Sequence, residues 1–327
     1  MGVRIALVGC GDIVKRYYLP ALKQMSGEGK IRLAACCDIV SERAGEAASD
    51  AGFEKVYTDC MQMLREIRPD GILMALPVER TAQQAIEAAP LGIPMMLEKP
   101  PALTKVKALE LSGALKKHGI LHQIAFNRHF IPVAVSLKEK LGNERVRNIQ
   151  IQMSRIKRVE KTFYTTAVHA IDLLRYLADA EYTQVSYSYQ DLPEYGSGVS
   201  NFYLNCSFAN GITGQITILV DGGIVNERVI ASCKGTTYYA SLPVWECSDS
   251  PGGIVAYRGD SVIFEEKGPA TGEPLENAVA SGFYGEIENF VRAVETRRQP
   301  QENMEFALPL IEISEKLHNR EKEYRKC

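Results

Sequence analysis

The stretch Val3–Asp38 constrains this chain most. Val3, Ile5, Ala6, Leu7 and Val8 form a short apolar run with little charge, the pattern of a strand buried on both faces. Gly9-Cys10-Gly11 follows at once, a helix-like segment starts at Asp12, and a second apolar run, Ile31–Cys37, ends on Asp38. Strand, glycine turn, helix, strand and acid in that order open a dinucleotide-binding fold. A pyrophosphate must approach backbone N–H groups closely and face a helix N-terminus. Gly9 can take the angles of the tight turn, and Gly11 removes the Cβ that would block the phosphates. Cys10, Asp12 and Ile13 complete the candidate phosphate contacts. Val14 stands where a third glycine or alanine is usual, a departure that bears on how closely helix and strand pack. Asp38 lies near the spacing of about 20 residues at which an acid takes the ribose hydroxyls. A carboxylate repels a 2′-phosphate, so NAD is the expected cofactor, while Arg43 keeps NADP open. Ser41 is the predicted N-cap of the next helix, which frees Asp38 from that task. A ligand-free glycine turn with Asp38 as a helix cap is the competing reading.

Length and charge set the outer bounds. With 327 residues the chain is too long for one small core and predicts two domains. Its formal net charge is −2, with no basic tract, so nothing points to nucleic acid. No apolar run approaches the ~18 residues of a membrane span. A strand from Val3 leaves no room for a signal peptide. The 8 cysteines are scattered, several within apolar runs, and no C-x-x-C occurs. They read as buried thiols in a reducing cytoplasm, not as disulfides or metal ligands, and no metal site is expected.

From Ile13 to Phe126 the pattern alternates helix and strand with short links. Pro20 should kink the first helix or start a second. Helices are predicted over 41–51, 59–67, 82–89 and 104–117, and strands over 72–76, 94–97 and 120–126. The 72–76 strand ends at Leu76-Pro77, and the 94–97 strand at Glu98-Lys99-Pro100. This alternation predicts a doubly wound parallel sheet. Near Val146 the rhythm changes. Strands at period two follow a helix over 164–177 whose apolar face is Ala167, Val168, Ile171, Leu174 and Leu177. Asn210-Gly211 marks a hairpin. Two helices, 285–295 and 302–321, close the chain. The predicted domains are 1–127, a dinucleotide-binding domain, and 128–327, a substrate-binding and oligomerisation domain whose final helices can pack back on the first.

Gly9-Cys10-Gly11, Asp38, Glu98-Lys99-Pro100, Phe126-Asn127-Arg128, His169-Ala170-Ile171-Asp172 and the tail 284–290 resemble the glucose–fructose oxidoreductase / inositol dehydrogenase / MocA (Gfo/Idh/MocA) family over essentially the whole chain. The resemblance implies an α/β fold: an N-terminal Rossmann domain and a C-terminal α+β domain with a large open, mostly antiparallel sheet. That sheet's open face is expected to form a homodimer or homotetramer. Cofactor contacts would fall on Gly9, Cys10, Gly11, Asp12, Ile13, Asp38, Leu76, Pro77, Glu98 and Lys99.

Lys99 stands at a parallel strand's carboxyl end, where ligands bind in such sheets. There a lysine can hydrogen-bond the reacting oxygen and share its proton as hydride leaves. Taken alone it reads equally as a surface lysine, and the Lys99–Pro100 bond is a candidate cis peptide. The family's matching histidine, here His169, acts as acid/base, and its matching aspartate, here Asp172, lines the substrate site. By residue type alone His169 is as well read as a core histidine, with Asp172 paired to Arg175. The family commonly has an aspartate one helical turn before the histidine, and Thr165 stands there; Val78 and Thr81 depart in the same way, marking a divergent member. Arg128 can clamp a substrate oxygen or form a structural salt bridge. Lys157, Arg158 and Lys161 form a small basic group that reads as a solvated loop or as a hint of an anionic substrate. The resulting expectation is an NAD(P)-dependent oxidoreductase that moves hydride between nicotinamide and a secondary alcohol or ketone of a sugar, cyclitol or derivative. Lys99 and His169 are its catalytic pair, and Arg128, Thr165 and Asp172 its substrate contacts. A non-catalytic nucleotide-binding sensor is the alternative.

Overall fold

The computed structural model describes residues 2–160 and 162–326; Lys161 of the basic group lies outside them. The chain forms two units. One comprises the residues up to Asn127 with Glu273–Val279 and Phe283–Ile311; the other comprises Arg128–Gly272, Ala280–Gly282 and the residues from Glu312.

In the first unit six parallel strands make one sheet: β1 (Val3–Val8), β2 (Ile31–Cys37), β3 (Val56–Tyr57), β4 (Gly71–Met74), β5 (Met95–Leu97) and β6 (His122–Ile124). Their order is β3-β2-β1-β4-β5-β6. The chain runs outward from β1 to β3, then restarts beside β1 with β4, so the carboxyl ends of β1 and β4 flank the reversal point where such sheets bind ligands. Positions along β1, β4 and β5 are buried almost without interruption, as covered parallel strands require. Helices α1 (Leu19–Gly27), α2 (Ser41–Ala51), α3 (Cys60–Ile67), α4 (Val78–Ala88) and α5 (Lys105–Lys117) link them.

Two local expectations change form. Pro20 does not break the first helix. Instead the helix that starts at Asp12 widens into a π turn over Val14–Tyr18, closed by Leu19 N–H to the Val14 carbonyl, and α1 follows with Pro20 in its first turn. Proline has no N–H to return to Arg16, and one slack turn absorbs the defect. Ser41 does not cap α2: Val40 holds the N-cap position and no side-chain cap bond is made. The Asp38 carboxylate, two residues upstream, takes the Val40 N–H at 2.9 Å, the local competition that short acidic side chains offer. Asp59 and Thr104 cap α3 and α5 through the N–H groups of Gln62 and Lys107.

The second unit begins with α6 (Pro132–Leu141), a helix absent from the sequence reading; Pro132 stands at its first position, where proline is favoured. Next come β7 (Val146–Ser154), α7 (Tyr164–Ala178), β8 (Tyr182–Asp191), β9 (Ser200–Phe208), β10 (Thr213–Leu219), β11 (Asn226–Cys233), β12 (Thr237–Ser241), β13 (Gly253–Arg258) and β14 (Ser261–Lys267). After α8 (Pro274–Ala280), α9 (Phe283–Thr296) and α10 (Met304–His318), the short β15 (Glu323–Arg325) joins the sheet. Nine strands lie in the order β14-β13-β12-β11-β7-β10-β9-β8-β15. Only β7–β10 pairs in parallel; the other neighbours are antiparallel. Ile149, Ile151 and Met153 of β7 are buried, while Gln150 and Gln152 face outward. On the buried face, a Cβ at Gly214 of β10 would lie 2.8 Å from Leu174 Cδ2, so glycine is what lets α7 lie close to the strand.

All of α9 and the first half of α10 belong to the first unit. Phe290 of α9 is fully buried, and a Cβ at Gly71 would meet its ring at 3.0 Å and Ile5 at 3.2 Å. Phe126 meets Phe306 of α10 edge-on at 5.7 Å. The described cysteines are all free, and no described helix is long and apolar enough to cross a membrane.

Phe290→Ala should cost about 3–5 kcal/mol, read by urea unfolding. A loss under about 1 kcal/mol would mean that the seat formed by Gly71 and Ile5 does not depend on this ring.

Candidate functional site

Gly9 closes β1 with φ +90°, and a Cβ there would fall 2.3 Å from the Ala75 carbonyl oxygen. Only glycine brings this turn against the end of β4. A Cβ on Gly11 would meet nothing within 4 Å, so the space before it is open. The helix starts at Asp12, where the first N–H groups have no acceptor within the helix; those of Asp12 and Ile13 suit an anion. Cys10 N–H is directed elsewhere: it donates to Asp38 Oδ2 at 2.8 Å. The adjoining Cys36 thiol, then burial, push the Cys10 thiol far up, so it serves as an apolar filler.

Asp38 ends β2. Two backbone donors, Cys10 and Val40, hold its oxygens, and a carboxylate's roughly four acceptor positions leave room for ribose hydroxyls. Ile39 beside it is 91% exposed and offers no cation for a 2′-phosphate. Leu76 and Pro77 follow β4, and the buried Thr81 hydroxyl lies 3.2 and 3.1 Å from their carbonyls. Thr81, a departure from the family pattern, thus pins this loop. A dinucleotide fits the set: Asp38 on the β2 side of the glycine turn, and the ends of β4 and β5 on the other.

Beyond β5, Glu98 and Lys99 are half-buried and the Lys99–Pro100 peptide is cis. Glu98 Oε1 accepts from the Tyr18 hydroxyl at 2.7 Å, and Oε2 from the Lys99 N–H at 3.2 Å. Burial first, then the carboxylates of Glu98 and Glu286, push Tyr18 well above the usual phenol range. Its hydroxyl therefore stays protonated and donates.

In the second unit α7 places His169 and Asp172 three residues apart on one face, and Arg128 and His129 meet them. Arg128 grips Glu227 with both arms of its fork, Nε to Oε2 at 3.1 Å and Nη2 to Oε1 at 2.7 Å. Its remaining arm, Nη1, lies 3.3 Å from His169 Nε2. Guanidinium only donates, so Nε2 accepts and a neutral His169 carries its proton on Nδ1. His129 Nε2 sits 2.9 Å from Asp172 Oδ1, and the His129 ring stacks on Tyr176 at 4.3 Å. Asp172 therefore pairs with His129, and Arg175 pairs with Glu181. Thr165 directs its hydroxyl to the Thr162 carbonyl at 2.8 Å. Arg128, His169 and Asp172 come together; Thr165 lies on α7 one turn before His169. The basic group disperses: Lys157 N–H goes to Asp221, and Arg158 pairs with Glu160.

Two members of this cluster were not found from the sequence. Glu227, 1% exposed, also pairs with Arg155, 2% exposed. Both stand in phase with the buried face of their strands, Arg155 after Ile149, Ile151 and Met153, and Glu227 before Val229 and Ala231. A charge on an inward position was the available signal. Burial alone would raise Glu227, but the guanidiniums of Arg128 and Arg155 overcome it and draw its pKa from 4.5 to about 2. No group of His, Cys, Asp and Glu suited to a metal occurs among the described residues.

Residues 3–126 match the family described as "Oxidoreductase family, NAD-binding Rossmann fold". The chain is 26% identical over 195 residues to scyllo-inositol 2-dehydrogenase (NAD(+)) of Bacillus subtilis, covering 56% of each chain. It is 25% identical over 156 residues to D-glucoside 3-dehydrogenase of Escherichia coli, covering 48% of this chain and 44% of that one. The chain thus matches about half the length of these relatives. Its fold is that of a dehydrogenase from Chromobacterium violaceum, with a TM-score of 0.84 at 20% identity, covering 98% of this chain and 95% of that chain.

Because the folded-state value of Glu227 is depressed, its stabilisation is present above pH 4.5 and is lost as pH falls toward about 2. Glu227→Gln should cost about 3–5 kcal/mol at neutral pH and should lack that part of the acid-side loss. Urea midpoints from pH 6 down to about 2.5 check this; parallel curves for the two proteins would refute it.

Proposed function

We propose that this chain, whose residues 3–126 match the NAD-binding Rossmann family model, is a Gfo/Idh/MocA-type oxidoreductase, an NAD(P)-dependent dehydrogenase acting on a CH–OH group of a sugar, cyclitol or related polyol, with NAD preferred. The carboxyl edge of the first sheet carries this reading: a turn only glycine can make, an acid held by two backbone N–H groups, and a lysine at the end of β5. Exposed Ile39 beside Asp38 supports NAD over NADP. The names of the relatives, an inositol and a glucoside dehydrogenase, support a polyhydroxylated ring as substrate.

Bound NAD would supply the hydride acceptor. Lys99 hydrogen-bonds the reacting oxygen and polarises its bond to carbon. His169 receives the hydroxyl proton on Nε2, which requires Arg128 to release that lone pair and turn its Nη1 donor to a substrate oxygen. Glu227 holds the guanidinium in place while it changes partner. Asp172, oriented by His129, and Thr165 take further hydroxyls. The cytoplasm is the proposed location. A second copy is proposed to dock on the open face of the nine-stranded sheet, where Tyr239 is 48% exposed; sedimentation showing monomer alone would reject that assembly.

Calorimetry with NAD⁺ and NADP⁺ should show binding, tighter for NAD⁺; no binding of either ends the reading. Lys99→Met should lower kcat by about 100-fold or more while the NAD⁺ Kd moves by less than about threefold. Nicotinamide absorbance across a panel of polyols and keto-sugars separates an enzyme from a nucleotide sensor, which would bind NAD and stay silent.

A further inference from the structure

One hydrogen bond joins the helix of the glycine turn to the strand end that bears Lys99. Tyr18 closes the π turn, is 1% exposed, and donates to Glu98 Oε1 at 2.7 Å. The other oxygen of Glu98 takes the Lys99 N–H at 3.2 Å. The carboxylate is therefore clamped between a helix that starts at Asp12 and the backbone of the lysine itself. Phe283 fixes the tyrosine from another side, with ring centroids 5.7 Å apart, and Tyr17 stacks on the same Phe283 at 4.6 Å. In a regular α-helix consecutive side chains diverge by about 100°; along the wider turn both tyrosines are buried to 1% exposure. Phenylalanine would fill this apolar seat as well, and burying a hydroxyl is costly unless it finds a partner. That partner is Glu98.

We propose that Tyr18 is a positioning residue for the nicotinamide half of the cofactor site: its hydroxyl fixes the Glu98 carboxylate, and through it the Lys99 backbone, relative to the helix that meets the pyrophosphate. Strand order makes this separable from adenosine binding, because Asp38 ends β2 and Glu98 follows β5, on opposite sides of β1. The catalytic consequence rests on the dehydrogenase reading; the binding consequence does not.

The test is Tyr18→Phe, with Phe283→Leu as a packing control, titrated calorimetrically with NAD⁺ and with AMP. Tyr18→Phe should weaken NAD⁺ about tenfold, the value of one hydrogen bond to a charged group, while AMP binding stays within about twofold. Phe283→Leu should lower the Tm and leave the ratio of the two affinities unchanged. Glu98→Ala should reproduce the selective loss, and the double variant should be no worse than the weaker single. On a substrate that turns over, Tyr18→Phe should lower kcat with substrate KM unchanged. Equal weakening of NAD⁺ and AMP, no weakening of either, or additive losses in the double variant would overturn the proposal. If the wild type oxidises nothing in the panel, the dehydrogenase reading fails, and the NAD⁺/AMP ratio still decides the role of Tyr18.

Discussion

A carboxylate taken out of water must regain from fixed donors the hydration it gives up, or it will not stay ionised. Three carboxylates of this chain are held by fixed donors in three different ways. Asp38 is held by backbone N–H groups, Glu98 by a phenol and a backbone N–H, and Glu227 by two guanidiniums. Each stands at or beside a strand end. In each case at least one donor comes from elsewhere in the sequence, so each carboxylate also ties one segment to another. The bond from Cys10 to Asp38 joins the ends of β1 and β2. Glu98 joins the first helix to β5, and Glu227 joins β11 to the turn after β6 and to the end of β7.

The Rossmann half was legible because its signals are local. Apolar runs bounded by glycine, proline and acid fixed the strands, and Gly9, Gly11 and Asp38 fixed the turn. What stayed hidden depended on tertiary competition. Ser41 has the right side chain for a cap, yet Asp38 reaches the Val40 N–H instead. Pro20 announces a defect, but the sequence does not say that a π turn will absorb it. Thr81 looked like a lost polar contact and proved to be a buried bond to the loop after β4.

In the second half, period-two runs revealed the sheet and its largely antiparallel pairing, while α6 and α8 went unread. His169 and Asp172 were legible as a pair on one helical face. The contacts that complete the cluster were not, because Arg128 meets His169 across 41 residues, His129 meets Asp172 across 43, and Glu227 meets Arg128 across 99. No local pattern encodes such distances. The inward phase of Arg155 and Glu227 was visible, but it names buried charges without naming whom they meet.

The first unit draws on residues from near the start of the chain and on Phe283–Ile311 near its end. During synthesis its parallel sheet therefore emerges long before the helix that seats Phe290 against Gly71 and Phe283 against Tyr17. Until the ribosome has passed that segment, apolar surface on β1, β4 and the first helix has no cover of its own. The nascent chain must wait for Phe283–Ile311 to complete the core of its first unit, and a protein truncated at Asn127 would carry that waiting state permanently.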